Sequence, residues 1–277
     1  VNVLLQCFAG TLDQNAQVRS QAESQLKQIS FTPGFLGATL VIISAEQTPE
    51  NVRLSASLYF KNKCVNGWTG KYHGKNELLD YVVDQDEKPV IKDLLVRTLV
   101  VCVKLSPGST RVLKNALSII IYEEYSQGRW EDLLNQSIKL LSGSDVDEAY
   151  VGLLCLSGIF RTYRWKENDS RQGLEMLILQ YFPDLLKYGE TQLLAQGSNL
   201  NDAKLGEMLL LLIKIYKFVT YLDLPFTLQR QESFIPWANF FVTVIQLPLP
   251  AEFMTLYDNE SRAKNPWVKC KKWSYAI

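Results

Sequence analysis

The chain has 277 residues, 47% of them apolar, with 29 Lys and Arg balancing 29 Asp and Glu. The apolar share is ample for a large folded core and excludes a disordered chain. The zero net charge leaves no global field to draw in DNA, RNA or an anionic membrane, so an electrostatic partner has to be met by a local patch.

Apolar residues recur at helical spacing almost throughout, and period-two alternation bounded by turn residues is scarce, so the chain reads as all-α. In chain order the spacing predicts helix pairs at 2–12 with 15–30, 33–45 with 49–67 and 87–104 with 107–126. Further pairs are predicted at 129–142 with 146–165, 171–195 with 202–222, and 227–247 with an incomplete helix from 266. Val18-Arg19-Ser20-Gln21-Ala22 and Val52-Arg53-Leu54-Ser55-Ala56 share V-R-x-x-A 34 residues apart, and Arg111, Val112 and Ala116 make a looser third copy. Such a period marks a repeat that stacks on its neighbours to bury its apolar face, and the predicted architecture is an α-solenoid of about six HEAT-like hairpins. Residues 1–68 hold the first two repeats, 69–86 a connecting segment, and 87–277 repeats three to six with the last one cut short.

Thr32-Pro33, Thr48-Pro49, Ser106-Pro107 and Asn265-Pro266 each place a capping side chain before a proline that needs no N–H in the first turn. Trp130, Leu133, Leu134, Ile138 and Leu141 share one face, as do Leu205, Met208, Leu209, Leu212, Tyr216 and Val219. The second of these helices is apolar nearly all round and is predicted to be buried between neighbours. The uncharged run from Phe234 to Ala251 contains Pro236, Pro248 and Pro250 and reads as part of a soluble fold, not a membrane span. The chain opens without a methionine and its last helix starts without a stop, so it reads as an N-terminal piece of something longer.

Five cysteines, Cys7, Cys64, Cys102, Cys155 and Cys270, lie far apart with no C-x-x-C pair, which fits buried reduced thiols, a reducing compartment and no bound metal. No signal peptide precedes the Asn135, Asn168 and Asn259 triplets, which read as chance glycosylation matches. Catalysis finds no support. His73 is the sole histidine, neither a nucleophile elbow nor a P-loop is present, and no cofactor motif stands out. The adjacent acids Asp86-Glu87 and Glu123-Glu124 read as solvated charge.

The stretches TPGFLGATLVIIS and ENVRLSASLYFKN, the second ending in Phe60-Lys61-Asn62, resemble the N-terminal signature of the importin-β (karyopherin) superfamily. AESQLKQ, ALSIII, RWEDLL, YVGLLCLSGIFRTYRWK and NPWVKCKKW extend the resemblance along nearly the whole chain, and the last two are similar to the importin-seven and importin-eight branch, fungal members included. One departure stands out: where the family has an acidic-aromatic-Pro corner after repeat three, this chain has Glu124-Tyr125-Ser126-Gln127-Gly128.

The resemblance implies a nuclear transport receptor that shuttles between cytoplasm and nucleus. Its N-terminal repeats would hold the GTP form of the small GTPase Ran along their inner helices. Its cargo, ribosomal proteins or histones among the candidates, would be held mainly by later repeats. On that reading Lys61, Asn62, Arg111, Lys114 and Asn115 are Ran-contact candidates, with a solvated helix surface as the alternative for each. Leu177, Tyr181, Phe182, Trp237 and Phe240 are candidates for nucleoporin phenylalanine-glycine repeats, with plain core as the alternative. Arg19 and Arg53 occupy the HEAT position that pairs with an acid of the next repeat. The basic, aromatic KCKKW from Lys269 to Trp273 is weighed as a nucleic-acid surface and set below a helix cut short. A HEAT scaffold unrelated to Ran, and an exportin with the same Ran face, remain open alternatives.

Overall fold

A computed structural model describes residues 1–68, 81–167, 171–195, 200, 202–249, 253 and 258–277. Among these residues no strand occurs, and the chain divides into two compact units, Val1–Leu133 with Ser142–Val151, and Leu134–Leu141 with Gly152–Ile277. Most of the segment read as a connection, with His73 inside it, lies outside the described residues.

The first unit is built of hairpins: α1 (Asn2–Gly10) with α2 (Ala16–Ile29), α3 (Phe35–Ser44) with α4 (Glu50–Gly67), and α5 (Lys88–Leu105) with α6 (Pro107–Tyr125). First helices stack on first helices, α3 on α5, and second helices on second helices, α4 on α6. Phe8, Leu36, Leu40, Phe60, Leu95, Leu99, Leu113 and Ile120 fill the space between them and are fully buried. Each such side chain stabilises the stack by about 1.5–3 kcal/mol. Three contacts set the register of α4 on α6. Ser106 donates to Glu50 at 2.6 Å, Leu54 lies over Gly108, and the Trp68 indole N–H donates to Glu124 at 3.0 Å. The two helices therefore run in the same direction, offset by about 56 residues in sequence.

The second unit contains most of α7 (Leu133–Leu141) and of α8 (Val146–Arg161), then α9 (Gln172–Tyr188) continued by a π-helical segment (Gly189–Leu194). It goes on through α10 (Ala203–Val219), α11 (Phe226–Gln229), α12 (Gln231–Gln246), α13 (Asn259–Lys264) and α14 (Pro266–Ala276). Helix α10 packs on α14, and α14 on α12. All six apolar residues expected on α10's buried side are buried, along with Leu210, Ile213 and Ile215. No helix among the described residues is long and apolar enough to cross a membrane.

The hairpins sit where the spacing predicts, but several local readings change. Ser106 and Asn265 do cap, accepting from Ser109 N at 3.1 Å and Trp267 N at 2.9 Å. Thr32 and Thr48 do not. Thr32 donates back to Ile29 O, and the chain then turns through left-handed Gly34 (φ 79°), so α3 starts at Phe35. Thr48 is buried and donates to Ile42 O at 2.8 Å, finishing α3 instead of starting α4. Helix α7 begins later than expected, because Gly128 (φ 69°) and a 2.9 Å bond from Arg129 N to Glu124 O hold the preceding residues in a closed turn.

Arg19 and Arg53 are not rungs to an acid of the next repeat. Each reaches back to the turn before its own helix. Arg19 donates to Asp13 O and Gln14 O at 2.8 Å. Arg53, 3% exposed, donates to Ala45 O at 2.9 Å, to Thr48 O at 3.0 Å and to Ile43 O. Helix ends leave carbonyls without partners, and a guanidinium supplies several donors from one side chain. The link to the next hairpin runs instead through Glu50, which takes the Ser106 hydroxyl.

Candidate functional site

The candidate Ran residues fall on two adjacent second helices of the first unit. On α4 the exposed stripe runs Asn51, Leu58, Asn62 and Asn66. On α6 it includes Arg111, Asn115 and Tyr122. The inward stripes, Val52, Ala56, Phe60 and Cys64 on one helix and Leu113, Ala116, Leu117 and Ile120 on the other, turn these mostly polar residues outward. With the register set by Trp68 and Glu124, Lys61 and Asn62 stand within about two turns of Arg111 and Asn115 along the shared axis, at about 1.5 Å per residue. Lys61 is half-buried at the edge of its stripe. Lys114 is placed differently: its ammonium donates to the Tyr150 hydroxyl at 2.5 Å and lies 5.0 Å from that ring's centroid. Its charge is directed along the unit, toward the start of α8.

Two carboxylates read as solvated are structural. Glu87 accepts from the Gly34 backbone N–H at 2.6 Å. Glu124 is 2% exposed and gathers the Trp68 indole, Arg129 at 3.2 Å, Lys92 at 3.6 Å and Lys88 at 3.7 Å. Burial pushes this carboxyl up, but hydrogen bonds from Arg129 and Trp68 and the nearby charges of Lys88 and Arg129 outweigh it and hold the group below the usual glutamate range. Lys88 moves down as well, first through burial and then because the pull of Glu124 is offset by repulsion from Arg129 and Lys92. Three cations share one carboxylate, so its charge is favoured while that of Lys88 is crowded. The partners of Glu124 come from three separate stretches of chain, and no local pattern betrays the arrangement.

The candidate nucleoporin residues lie in the second unit and divide into floor and flank. Phe182, Trp237 and Phe240 are nearly fully buried in one aromatic cluster, with Phe182 and Phe240 5.5 and 5.6 Å from Trp237. Phe182 and Trp237 also floor a cavity of about 270 Å³ between α9 and the α11–α12 turn, walled by Ile178, Leu179, Pro183, Leu228 and Pro236 and rimmed by Lys187, Glu190 and Glu232. Leu177 and Tyr181 are half-buried and outside it, and Phe240 belongs to the core behind. Spacing alone missed Leu179 and Pro236, because their role depends on α9 meeting α12. Glu175 ties α9 to the start of α11, just before α12, by accepting from the Phe226 and Thr227 backbone N–H groups at 2.8 and 3.1 Å.

All five cysteines are free and buried, and burial raises the thiols of Cys102 and Cys155 to about 11 and about 12, which keeps them protonated and poorly nucleophilic. Among the described residues no group of His, Cys, Asp and Glu is arranged to hold a metal ion.

Residues 22–101 match the importin-beta N-terminal domain. Over its full length the chain is 59% identical to nonsense-mediated mRNA decay protein 5 of Saccharomyces cerevisiae and 26% identical to mouse importin-8, spanning 26% of each, about a quarter of those relatives' length. A solved structure of the exportin Cse1 in its cargo-free, cytoplasmic state matches 99% of this chain and 28% of that one, with a TM-score of 0.76 at 21% identity, and supports an all-α HEAT-repeat fold. Residues 22–101 thus match the importin-beta N-terminal domain, and the chain as a whole is similar to members of the importin-β superfamily.

Proposed function

We propose that this chain is the Ran-GTP-binding N-terminal region of an importin-seven-like receptor of the importin-β superfamily that shuttles between cytoplasm and nucleus. The observation that carries the reading is the family match over residues 22–101, which contains α3 and α4 entire and most of α5. It therefore includes the exposed stripe of α4 and the Phe60-Lys61-Asn62 element. Lys61, Asn62, Arg111 and Asn115 form the contact surface. Lys114 supports it from beneath by holding Tyr150. Binding of Ran-GTP and of cargo to different shapes of one receptor couples the two ligands, and Ran-GTP drives release. Such a protein binds and performs no chemistry of its own. The groove floored by Phe182 and Trp237 takes phenylalanine side chains of nucleoporin repeats, since a shallow apolar pocket with a charged rim suits weak, fast exchange.

The test is a calorimetric titration of the 277-residue chain with Ran loaded with a non-hydrolysable GTP analogue or with GDP. Binding of the GTP form alone supports the receptor. Equal or absent binding removes Ran from the reading and supports a HEAT scaffold. Competition between Ran-GTP and a ribosomal protein on the longer receptor separates an importin, where they exclude each other, from an exportin, where they bind together.

A further inference from the structure

The second unit carries a ladder of cations and aromatic rings along the edge where the second helices of three hairpins end. Just past the end of α8, the Arg164 guanidinium carbon lies 4.0 Å from the centroid of Tyr221, 4.8 Å from Trp165 and 5.9 Å from Phe218. One helix further, at the end of α10, the Lys217 ammonium lies 3.8 Å from the centroid of Trp273 on α14. Trp165 meets Tyr221 edge-on with centroids 4.5 Å apart and is 64% exposed. The order along the edge is Trp165, Arg164, Tyr221, Lys217, Trp273.

The cations of this ladder lack counter-charges. Among the described residues neither Arg164 nor Lys217 forms an ion pair, and the nearby Asp223 is taken by Arg171. The Arg164 Nε–H is buried without an acceptor. The Lys217 ammonium is pushed down by burial and then by repulsion from Arg164, so the two positive charges feel each other. A ring face orients a cation without neutralising it. The edge therefore holds two ring-stacked cations without an ion-pair partner among the described residues, in a chain whose net charge is zero.

We propose that this edge, from Arg164 to Trp273, is a docking surface for an acidic, extended peptide segment of a partner protein. Carboxylates of the segment supply the missing counter-charges of Arg164 and Lys217, and its backbone and apolar side chains lie over the exposed ring of Trp165. A single-stranded nucleic acid fits less well. Stacked bases need free aromatic faces, whereas one face each of Tyr221 and Trp273 is covered by a cation. The proposal is independent of the Ran reading, which concerns α4 and α6. It also selects a charge opposite to that of a basic cargo.

The test is fluorescence anisotropy of the 277-residue chain with a labelled oligoglutamate peptide, alongside oligolysine and oligothymidylate of equal length. Oligoglutamate is expected to bind, to quench tryptophan emission and to weaken as salt shortens the screening length to below about 8 Å. The double variant Arg164→Gln/Lys217→Gln is expected to bind about tenfold more weakly with unchanged helical circular dichroism. Absent peptide binding, unchanged affinity in the folded variant, or tighter binding of oligothymidylate overturns the proposal. Should the variant unfold, carbodiimide coupling of oligoglutamate to the wild-type chain decides: linkage at Lys217 supports the surface, and linkage only elsewhere overturns it.

Discussion

The Trp68 indole N–H donates to Glu124 at 3.0 Å across the ends of α4 and α6, and Glu124 is almost wholly buried with Lys88, Lys92 and Arg129 around it. Breaking a buried ion cluster by removing one sign of charge costs about 3–5 kcal/mol, because the opposite charges stay behind uncompensated. Glu124→Gln is therefore expected to destabilise the chain by that amount, read as a lower urea midpoint at unchanged slope. A loss below about 1 kcal/mol would mean that the cluster is solvated when the protein is in solution.

The same cluster predicts a sensitivity to acid. The Glu124 carboxyl is held below its ordinary value of 4.5 in the folded state, against the upward push of burial, by Arg129, Trp68 and Lys88. A depressed folded-state value contributes stability that is complete above the unfolded value and is lost as pH falls through the folded one. Denaturation midpoints of the wild type are thus expected to fall on acidification below about pH 4.5, and the difference from Glu124→Gln to shrink over that same window. A gap that stays constant down to pH 2 would place the pH sensitivity on other carboxylates.

Arg53 and Arg19 share a sequence motif and the same reach back to a turn, but only Arg53 is buried. A buried carbonyl stripped of its donor costs about 1–3 kcal/mol, whereas an exposed one takes water instead. Arg53→Met is expected to cost about 3 kcal/mol and Arg19→Met under about 1 kcal/mol, measured by thermal and urea unfolding. Equal effects would show that the turn before α4 admits water as freely as the turn before α2.

How far these features were legible in sequence depends on how local their causes are. The burial of α10 follows from apolar residues on every side of one helix, and the caps of Ser106 and Asn265 act within three residues. Thr48-Pro49 looks the same in sequence as Ser106-Pro107. Whether the hydroxyl serves the helix behind or the helix ahead is decided by the length of the turn between α3 and α4. Glu124 reads as surface charge because Trp68 lies 56 residues away, and the stacking of Arg164 on Tyr221 likewise appears only once α8 and α10 are side by side. Phe182, Trp237 and Phe240 lie at helical spacing in sequence, which places them on apolar faces of their helices and no further. Their split into groove floor and core wall needed the meeting of α9 with α12.

On the candidate Ran surface, Arg111 is exposed and Lys61 half-buried at the edge of its stripe, while Lys114 is held by Tyr150. Charge reversal of Lys61 and Arg111 together is expected to weaken Ran-GTP binding about tenfold through lost steering and contact, with unfolding unchanged. Lys114→Glu is expected to lower stability as well as affinity, since it removes the donor to Tyr150. If Lys61→Glu/Arg111→Glu binds Ran-GTP as the wild type does, the contact surface is elsewhere.

The groove between α9 and α12 separates binding from stability by depth. Leu179 forms an exposed lip, whereas Phe182 is floor and core together, in contact with Phe160 and Trp237. Leu179→Asp places a charge where a phenylalanine ring has to slide in, so affinity for a phenylalanine-glycine peptide is expected to fall at least about fivefold with thermal unfolding little changed. Phe182→Ala opens a cavity in the cluster and is expected to cost about 3–5 kcal/mol of stability whether or not the peptide is present. Peptide titration and unfolding of both variants distinguish the two roles. Undiminished peptide binding by Leu179→Asp would show that phenylalanine-glycine repeats use a different surface, and undiminished stability of Phe182→Ala would show that the floor is not part of the packed core.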